Sequence, residues 1–399
     1  MSEGGNEELF RVFLLRAFTD SKRPLVARVC SGPQSFDNSH LTTVAWRDRT
    51  MNEPLPDKPE RRPRYRGTHP RHFGEKYKEH QPDRYADEVN HILASGRTPA
   101  GSHRPIMVAE ILSVLRPQPG HLAIDCTLGY GGHAREILAA IQPGGQLLGL
   151  DVDPIELPKT EARLRETLDD PASLIVRRSN FAGLARVALE AFPEGADCIL
   201  ADLGLSSMQL DDPQRGFTFK VDGPLDMRMN PRHGQSAASL LSKLTEDKLV
   251  ALLKDNADEP RANRISRAIL QVQQQSPIVS SRVLADVVRK TLAETDCSED
   301  EIQVSVRRVF QALRIAVNDE LGALDSLLNQ IPACLRAGGR VAILTFHSGE
   351  DRRVKQSFKT GLIAGTYASI SETVTRATPE EQRANPRSAS AKLRFAVRR

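Results

Sequence analysis

Hydrophobic and polar positions follow a regular pattern from Gly120 onward. Short apolar runs, which predict strands, alternate with stretches whose apolar residues recur every three or four positions, which predict amphipathic helices. The predicted strands are HLAIDCTL, GQLLGLDVD, SLIVRRS, ADCILADLGL and a fifth that ends in TFHSGED. Such alternation is typical of an α/β fold, in which helices cover a parallel sheet. Near the C-terminus, NPRSASAKLRFAV predicts a loop and then an antiparallel strand that closes the sheet.

The alternation stops between the fourth and fifth strands. Four consecutive segments there have the apolar spacing of helices: SAASLLSKLTEDKLVALLKD, RANRISRAILQVQ, SSRVLADVVRKTLAE and EDEIQVSVRRVFQALRIAV. We expect an all-helical subdomain over 236–315, inserted into a sheet domain that spans 99–235 and 316–399. Arginines of these segments either line an RNA cleft or lie on solvated helix faces: Arg261, Arg264, Arg267, Arg307, Arg308 and Arg314.

The residues before 99 do not share this pattern. Residues 1–50 are expected to form a disordered leader that is either dispensable or not translated, because Met51 opens a different kind of sequence. Residues 51–98 form a polar extension in which arginines and aromatic residues are interleaved, as in RRPRYRGTHPRHFGEKYKEHQPDRY. Guanidinium groups neutralise phosphates, and aromatic rings stack on unpaired bases. The extension is therefore either an RNA-binding arm or a solvated linker whose tyrosines pack on the main domain.

Composition adds weaker constraints. The chain has 55 Lys and Arg against 51 Asp and Glu, and this net charge of +4 is compatible with nucleic acid without indicating it. The five cysteines form no CxxC pair, so we predict neither a disulfide framework nor a metal site. The apolar runs are too short to span a bilayer, so no membrane partner is expected. We expect a soluble protein of a reducing compartment, either the bacterial cytoplasm or an organelle matrix.

The loop after the first strand, in DCTLGYGGHAREIL, carries candidate cofactor-binding glycines. Gly131 and Gly132 let backbone N–H groups approach a ligand at the start of a helix. The second strand ends in Asp151, whose carboxylate is placed to accept hydrogen bonds from two ribose hydroxyls. The pattern predicts a cofactor that contains a ribose. Because GYGGHA also fits the relaxed dinucleotide fingerprint, a nicotinamide-dependent oxidoreductase is an alternative.

The segment after the fourth strand, ADLGLSSMQLDDPQRGFTFKVDGPLDMRM, favours a larger substrate than a small hydroxy acid. A substrate with base edges and phosphates suits its polar residues better. The residues expected beside the cofactor or substrate are Asp202, Ser206, Ser207, Gln209, Arg215 and Phe217. After the fifth strand, His347 and Ser348 either touch the nucleotide, or Ser348 caps the next helix.

Six strings, in order, resemble the RsmH (MraW) family of methyltransferases: HRPIMVAEIL, DCTLGYGGHAREIL, DLGLSSMQLDDPQRGFTF with DGPLDMRM, RRVFQALRIAVNDEL, GGRVAILTFHSGEDRRVK and NPRSASAKLRFAVR. The resemblance implies a Rossmann-like class I methyltransferase sheet with an inserted helical subdomain. It implies methyl transfer from S-adenosylmethionine to the exocyclic N4 of a cytosine in small-subunit ribosomal RNA. The partner is then that rRNA or the small ribosomal subunit, and a homodimer is one alternative for the oligomeric state. A non-catalytic RNA-binding assembly factor is a further alternative, against which the intact glycines and acids argue.

The resemblance also implies roles for single residues. Cofactor contacts are expected from Gly131, Gly132, His133, Asp151, Phe181, Asp202 and Gln209. NADEPRANRI departs from the family's usual string, and its Pro260 is expected to start a helix. The N4 amino group is a poor nucleophile, so it needs alignment with the methyl group and an acceptor for its proton. Asp202 is the candidate acceptor, and Phe217 or Phe219 is the candidate aromatic partner of the base.

Overall fold

The structure is a computed structural model that describes residues 105–399, apart from the side chains of residues 207 and 208. The expected leader (1–50) and the basic extension (51–98) lie outside the described residues. Among the residues that are described, no helix has both the length and the apolar character that crossing a bilayer requires.

Seven strands form one sheet in the described part of the chain, in the order β3-β2-β1-β4-β5-β7-β6. They are β1 Leu122–Asp125, β2 Gln146–Asp151, β3 Leu174–Arg178, β4 Ala196–Asp202, β5 Leu335–Thr345, β6 Tyr367–Ile370 and β7 Lys392–Arg398. The first five are parallel, as the alternation predicts. The antiparallel strand near the C-terminus is β7, but it does not close the sheet, because β6 pairs with its outer side. The four residues of β6 are too few and too exposed to leave a sequence pattern.

Helices cover both faces of the sheet and fill the interval between β4 and β5. In chain order they are α1 Val108–Leu115, α2 Gly132–Ile141, α3 Leu157–Arg165, α4 Leu184–Ala191, α5 Ser207–Asp211, α6 Ala237–Leu241, α7 Glu246–Ala257, α8 Ala262–Gln275, α9 Ser281–Ala293, α10 Glu299–Asn318, α11 Glu320–Cys334, α12 Ser348–Ile363 and α13 Pro379–Ala384. Neighbouring strand residues face opposite sides of the sheet. Ala123 and Leu147 join one core with α1, α2 and α3, while Ile124 and Leu148 join the other with α4, α11 and α12. The predicted Rossmann-like α/β fold is confirmed.

Helices α6 to α10, between β4 and β5, pack around a separate apolar core, to which the loop before α6 also contributes. The first of the four predicted segments forms two helices, α6 and α7. Helix α8 begins at Ala262, two residues after Pro260, and α10 begins with a capping box in which Ser298 and Glu301 bond each other's backbone. Helix α10 continues to Asn318, and the subdomain boundaries at 236 and 315 stay a prediction.

The sheet brings several loops to one edge. The parallel strands all end there, and β7 enters the sheet at the same edge because Lys392 pairs with Thr345, the last residue of β5. The loop before β7, residues 385–391, therefore meets the loops that follow β1, β2, β3, β4 and β5. This edge is the position at which open α/β sheets bind ligands.

Candidate active site

A cavity of about 430 Å³ opens at this edge of the sheet. Its walls are the loops after β1 to β5, the corner between α10 and α11, and part of the loop before β7. The residues predicted to bind cofactor or substrate that line it are Gly132, His133, Asp151, Phe181, Asp202, Ser206 and Gln209. The tertiary structure therefore brings together most of the predicted cofactor residues and few of the predicted substrate residues.

The glycine-rich loop turns sharply from β1 into α2. Gly131 is the N-cap of α2 and has a φ of 82°, a left-handed conformation that favours glycine. A Cβ on Gly132 would lie 2.6 Å from Cγ of Pro105, so the close packing there leaves no room for a side chain. No side chain caps this helix and its first turn carries no acidic residue. Its first N–H groups are therefore available to an acceptor on a ligand.

Asp151 ends β2 and connects the second loop to the first. Its Oδ2 accepts a hydrogen bond from the Gly129 N–H at 2.8 Å, and its Oδ1 accepts one from the Asp153 N–H at 2.8 Å. Burial raises the pKa of Asp151, although these backbone donors oppose the effect. Each oxygen still has a lone pair, and the carboxylate borders the cavity. The group is therefore fixed in place and able to accept the hydroxyls of a ribose.

Asp125 and Asp202, at the ends of β1 and β4, are linked through Thr127. The Asp202 N–H donates to Thr127 Oγ1 at 2.7 Å, and Thr127 Oγ1 donates to Asp125 Oδ1 at 3.4 Å. Burial raises the pKa of both carboxyls to about 7. Nearby negative charge raises both pKa values further. The charge of Asp151 acts on Asp125, and the charges of Asp125 and Glu350 act on Asp202. Both acids consequently change charge near neutral pH.

His133 faces Asp202 across the cavity floor, with Nε2 3.7 Å from Asp202 Oδ2. Its side chain is 7% exposed, and burial lowers its pKa to about 4, so the ring is neutral at pH 7. Neither ring nitrogen has a hydrogen-bond partner in the described part of the chain, and Asp202 Oδ1 has none either. Buried polar atoms are rarely left unpaired, so these atoms indicate a place for a polar ligand.

Arg215, which is predicted to meet the substrate, is not among the residues that line the cavity. Its Nη1 donates to Oδ2 of the fully buried Asp153 at 2.9 Å, and its Nη2 donates to the Met229 carbonyl at 2.7 Å. The same Asp153 oxygen accepts from Gln209 Nε2 at 2.7 Å, while Gln209 Oε1 accepts from the Ser206 N–H at 3.1 Å. Arg215 and Asp153 therefore fix the loop that presents Gln209 and Ser206. Apart from its position after Asp151, nothing in the sequence pattern pointed to Asp153.

The aromatic residues at the cavity differ from those predicted to stack on the base. Phe217 is 5% exposed and lies in the core of the inserted helices, and Phe219 packs edge-on against Phe310 with ring centroids 5.1 Å apart. Their apolar rings attach the loop to the helices, and neither ring lines the cavity. Phe181 and Phe346 line the cavity instead. Phe346 follows β5 in TFHSGED and could have been found from that position.

His347, not Ser348, is the N-cap of α12. Its Nδ1 accepts from the Glu350 N–H at 3.4 Å, while Glu350 Oε2 accepts from the His347 N–H at 3.3 Å. Ser348 Oγ donates to Asp258 Oδ2 at 2.9 Å, which ties α12 to the end of α7. Although burial opposes it, the contacts with His347 lower the pKa of Glu350. The sequence left open whether Ser348 caps the helix or contacts the nucleotide, and the structure assigns the cap to His347. Glu350 is the member of this group that lines the cavity. Ser207 begins α5, and its side chain lies outside the described part of the structure.

The corner between α10 and α11 supplies three residues to the cavity wall. Arg314 was predicted to lie in an RNA cleft or on a solvated helix face, and Asn318 and Glu320 were not predicted as site residues. Arg314 donates from Nε and Nη2 to the two oxygens of Glu320 at 2.8 and 2.9 Å. Single ligand atoms of Glu320, His347 and Glu350 lie within 4.8 Å of one another, a spacing that a metal ion could use. Because Arg314 already neutralises Glu320, we assign no metal to this cluster. Asn318 holds the corner by donating to the Met227 carbonyl at 2.8 Å.

Comparisons with known proteins agree on one family. A family model described as "MraW methylase family" matches residues 100–399. A protein of Lachnoclostridium phytofermentans named "Ribosomal RNA small subunit methyltransferase H 1" is 48% identical over 342 residues, which are 85% of this chain and 93% of that protein. A protein of Alkaliphilus metalliredigens named "Ribosomal RNA small subunit methyltransferase H 2" is 47% identical over 345 residues, which are 86% of this chain and 98% of that protein.

Proposed function

The chain belongs to the MraW methylase family, and from this premise we propose that it transfers a methyl group from S-adenosylmethionine to the exocyclic N4 of a cytosine in small-subunit ribosomal RNA. The methyl donor and the class of reaction follow from family membership. The cytosine N4 position, and whether the substrate is free rRNA or the small subunit, are the finer parts of the proposal.

The charge of the cavity is the observation that best supports this cofactor. Three buried or half-buried carboxyls, Asp125, Asp151 and Asp202, line it beside a neutral histidine. Two arginines also line it in the described residues, and each is paired with a carboxylate. S-adenosylmethionine carries a positive sulfonium and an ammonium group, which carboxylates attract at short range. The pyrophosphate of a nicotinamide dinucleotide is negative, so the same three carboxyls disfavour the oxidoreductase alternative.

The residues present fit the groups of S-adenosylmethionine. Asp151 would accept the ribose hydroxyls, and Phe181 offers an apolar face near the end of β3 for the adenine. The uncapped start of α2 would receive the carboxylate of the methionine part. Asp125, beside that loop, would attract the ammonium group. When bound, the cofactor supplies an electrophilic methyl group, and no metal is needed for its transfer.

The task of the protein side chains is then to hold the target nitrogen and remove its proton. The N4 lone pair of cytosine is delocalised into the ring, so positive charge develops on the nitrogen as it attacks. Asp202 would accept a hydrogen bond from the N4 amino group and take its proton, since its second oxygen is unpaired in the described structure. His133 stays neutral beside it and does not reduce its basicity. The base must reach this cavity unpaired, because its N4 is inaccessible inside a helix.

Titration calorimetry with S-adenosylmethionine and with NAD tests the cofactor. We expect the protein to bind S-adenosylmethionine and not NAD, and the opposite result would contradict the methyltransferase assignment.

The reaction is tested by incubating the protein with a small-subunit rRNA transcript and cofactor, then digesting the RNA to nucleosides. Liquid chromatography with mass spectrometry separates N4-methylcytidine from its isomer 5-methylcytidine. Binding of cofactor and RNA without any methylated product would favour the non-catalytic assembly factor.

A further inference from the structure

Arg387 lies in the half of the cavity that faces away from the proposed ribose site. Asp151 and Phe181 follow β2 and β3, on one side of β1, whereas β5 and β7 lie on the other side of β4. Arg387 belongs to the loop that enters β7, so it lines the cavity beyond Asp202 along this edge. This is the half in which the group that accepts the methyl must lie, because the cofactor occupies the other half. The inference below rests on the proposed function.

Hydrogen bonds hold both the backbone and the side chain of Arg387. Asn385 Oδ1 accepts from the Arg387 N–H at 3.3 Å, and Ser390 Oγ donates to the Arg387 carbonyl at 3.2 Å, within a short 3-10 helical turn. The guanidinium Nη2 lies 2.9 and 3.1 Å from the two oxygens of Asp211, at the end of α5. Because the guanidinium is planar, a carboxylate that binds Nη2 also restricts the direction of the remaining N–H groups.

The other terminal nitrogen of Arg387 has no partner. Nη1 is shielded from bulk solvent, yet it makes no hydrogen bond in the described part of the chain. A shielded donor on a charged group is costly when unpaired, so this nitrogen indicates an acceptor that arrives with a ligand. Nη1 is therefore the donor left for a ligand, and two adjacent acceptors can share it in the way that the two Asp211 oxygens share Nη2. The same cavity also provides an acceptor for amino protons in Asp202.

We propose that Arg387 determines base specificity by donating hydrogen bonds to the N3 and O2 acceptors of the target cytosine, with Asp211 orienting its guanidinium. Cytosine presents one donor and two adjacent acceptors on a single edge, and Asp202 with Arg387 offers the complementary set. Uracil has an N–H at N3, which would face the N–H of the arginine, and a carbonyl in place of the amino group. Asp202 and Arg387 would therefore each make an unfavourable contact with uracil. Binding sites built from buried polar groups discriminate strongly against a ligand that leaves those groups unpaired.

The test combines a protein variant with an atom replacement in the substrate. The cytosine that the wild-type protein methylates is first mapped in a small-subunit rRNA transcript. A synthetic RNA fragment is then made with either cytidine or 3-deazacytidine at that position. Replacing N3 by C–H removes one acceptor while leaving the amino group. The variants are Arg387→Gln and, as a matched control, Arg383→Gln, because Arg383 is 74% exposed and, among the described residues, pairs with Glu380 at the surface of α13.

We expect R387Q to lower kcat/KM on the cytidine RNA by roughly 10- to 100-fold, the range for losing a paired contact to a base edge. Its affinity for S-adenosylmethionine should change less than about twofold, the scatter of uncoupled sites. The 3-deaza substitution should slow the wild type and R383Q, and should have little further effect on R387Q. Additive losses, or a loss of cofactor affinity in R387Q, would overturn the proposal.

If R387Q does not fold, Asp211→Asn leaves the arginine in place but unoriented, and the same non-additivity is expected of it. A wild-type protein that makes no N4-methylcytidine would instead overturn the proposed function, and this inference with it.

Discussion

Replacing Asp202 by Asn should make the protein more stable at alkaline pH while abolishing methyl transfer. Burial, together with the charges of Asp125 and Glu350, raises the pKa of Asp202 from 3.8 to about 7. The difference of about 3 pKa units corresponds to on the order of 4 kcal/mol against ionising this carboxyl in the folded state. Between about pH 4 and pH 7 the folded state binds the proton that the unfolded state has lost, so stability falls as pH rises through this window. Asn carries no charge and avoids this loss.

Urea unfolding of the cofactor-free protein at about pH 5 and about pH 8.5 measures the effect, with roughly 2–4 kcal/mol of extra stability expected for D202N at the higher pH and much less at the lower. Activity should behave oppositely. The wild-type rate should rise with pH toward a plateau above about pH 7, because only ionised Asp202 accepts a proton, and D202N should lack this rise. Asp169→Asn is the matched control, since Asp169 is exposed. If D202N gained the same stability at both pH values, or turned over normally, the reasoning on Asp202 would be refuted.

Three further outcomes are expected. Asp151→Ala should weaken S-adenosylmethionine binding by about 1–3 kcal/mol through loss of the ribose acceptor, and unchanged calorimetric affinity would contradict the ribose site. Arg215→Met leaves buried Asp153 without its charged partner and should lower the free energy of unfolding by roughly 3–5 kcal/mol, whereas a loss of RNA affinity at unchanged stability would return Arg215 to the substrate. Replacing the four arginines of the segment 61–66 by Ala should reduce the log–log salt slope of RNA binding by up to ~0.7–0.9 per lost phosphate contact. An unchanged slope with a lower melting temperature would make that segment structural.

The sequence by itself determined the scaffold and the position of the glycine loop and Asp151 on it. Strands β1, β2 and β4 are nearly continuous apolar runs because both faces of a parallel sheet are buried there. Shorter apolar runs mark the edge strand β3 and the second half of β5, and all of these runs are visible without any tertiary information. The glycine loop and Asp151 follow these strands directly, so a correct strand prediction places them at one edge of the sheet. Local rules of this kind fix where a chain segment lies when the segment is attached to a regular element.

Only the tertiary structure decided which polar and aromatic side chains of the long loops reach the cavity. Arg215 and Phe217 look like substrate contacts in sequence, yet one is paired with Asp153 and the other is buried among the inserted helices. Arg387 and Arg314 reach the cavity from segments that are distant in sequence. Arg387 pairs with Asp211 and Arg314 with Glu320, and these ion pairs determine which N–H groups of each arginine remain available to a ligand. A charged or aromatic residue satisfies whichever partner the fold brings nearest, and that partner is set by long-range packing, which a local pattern does not encode.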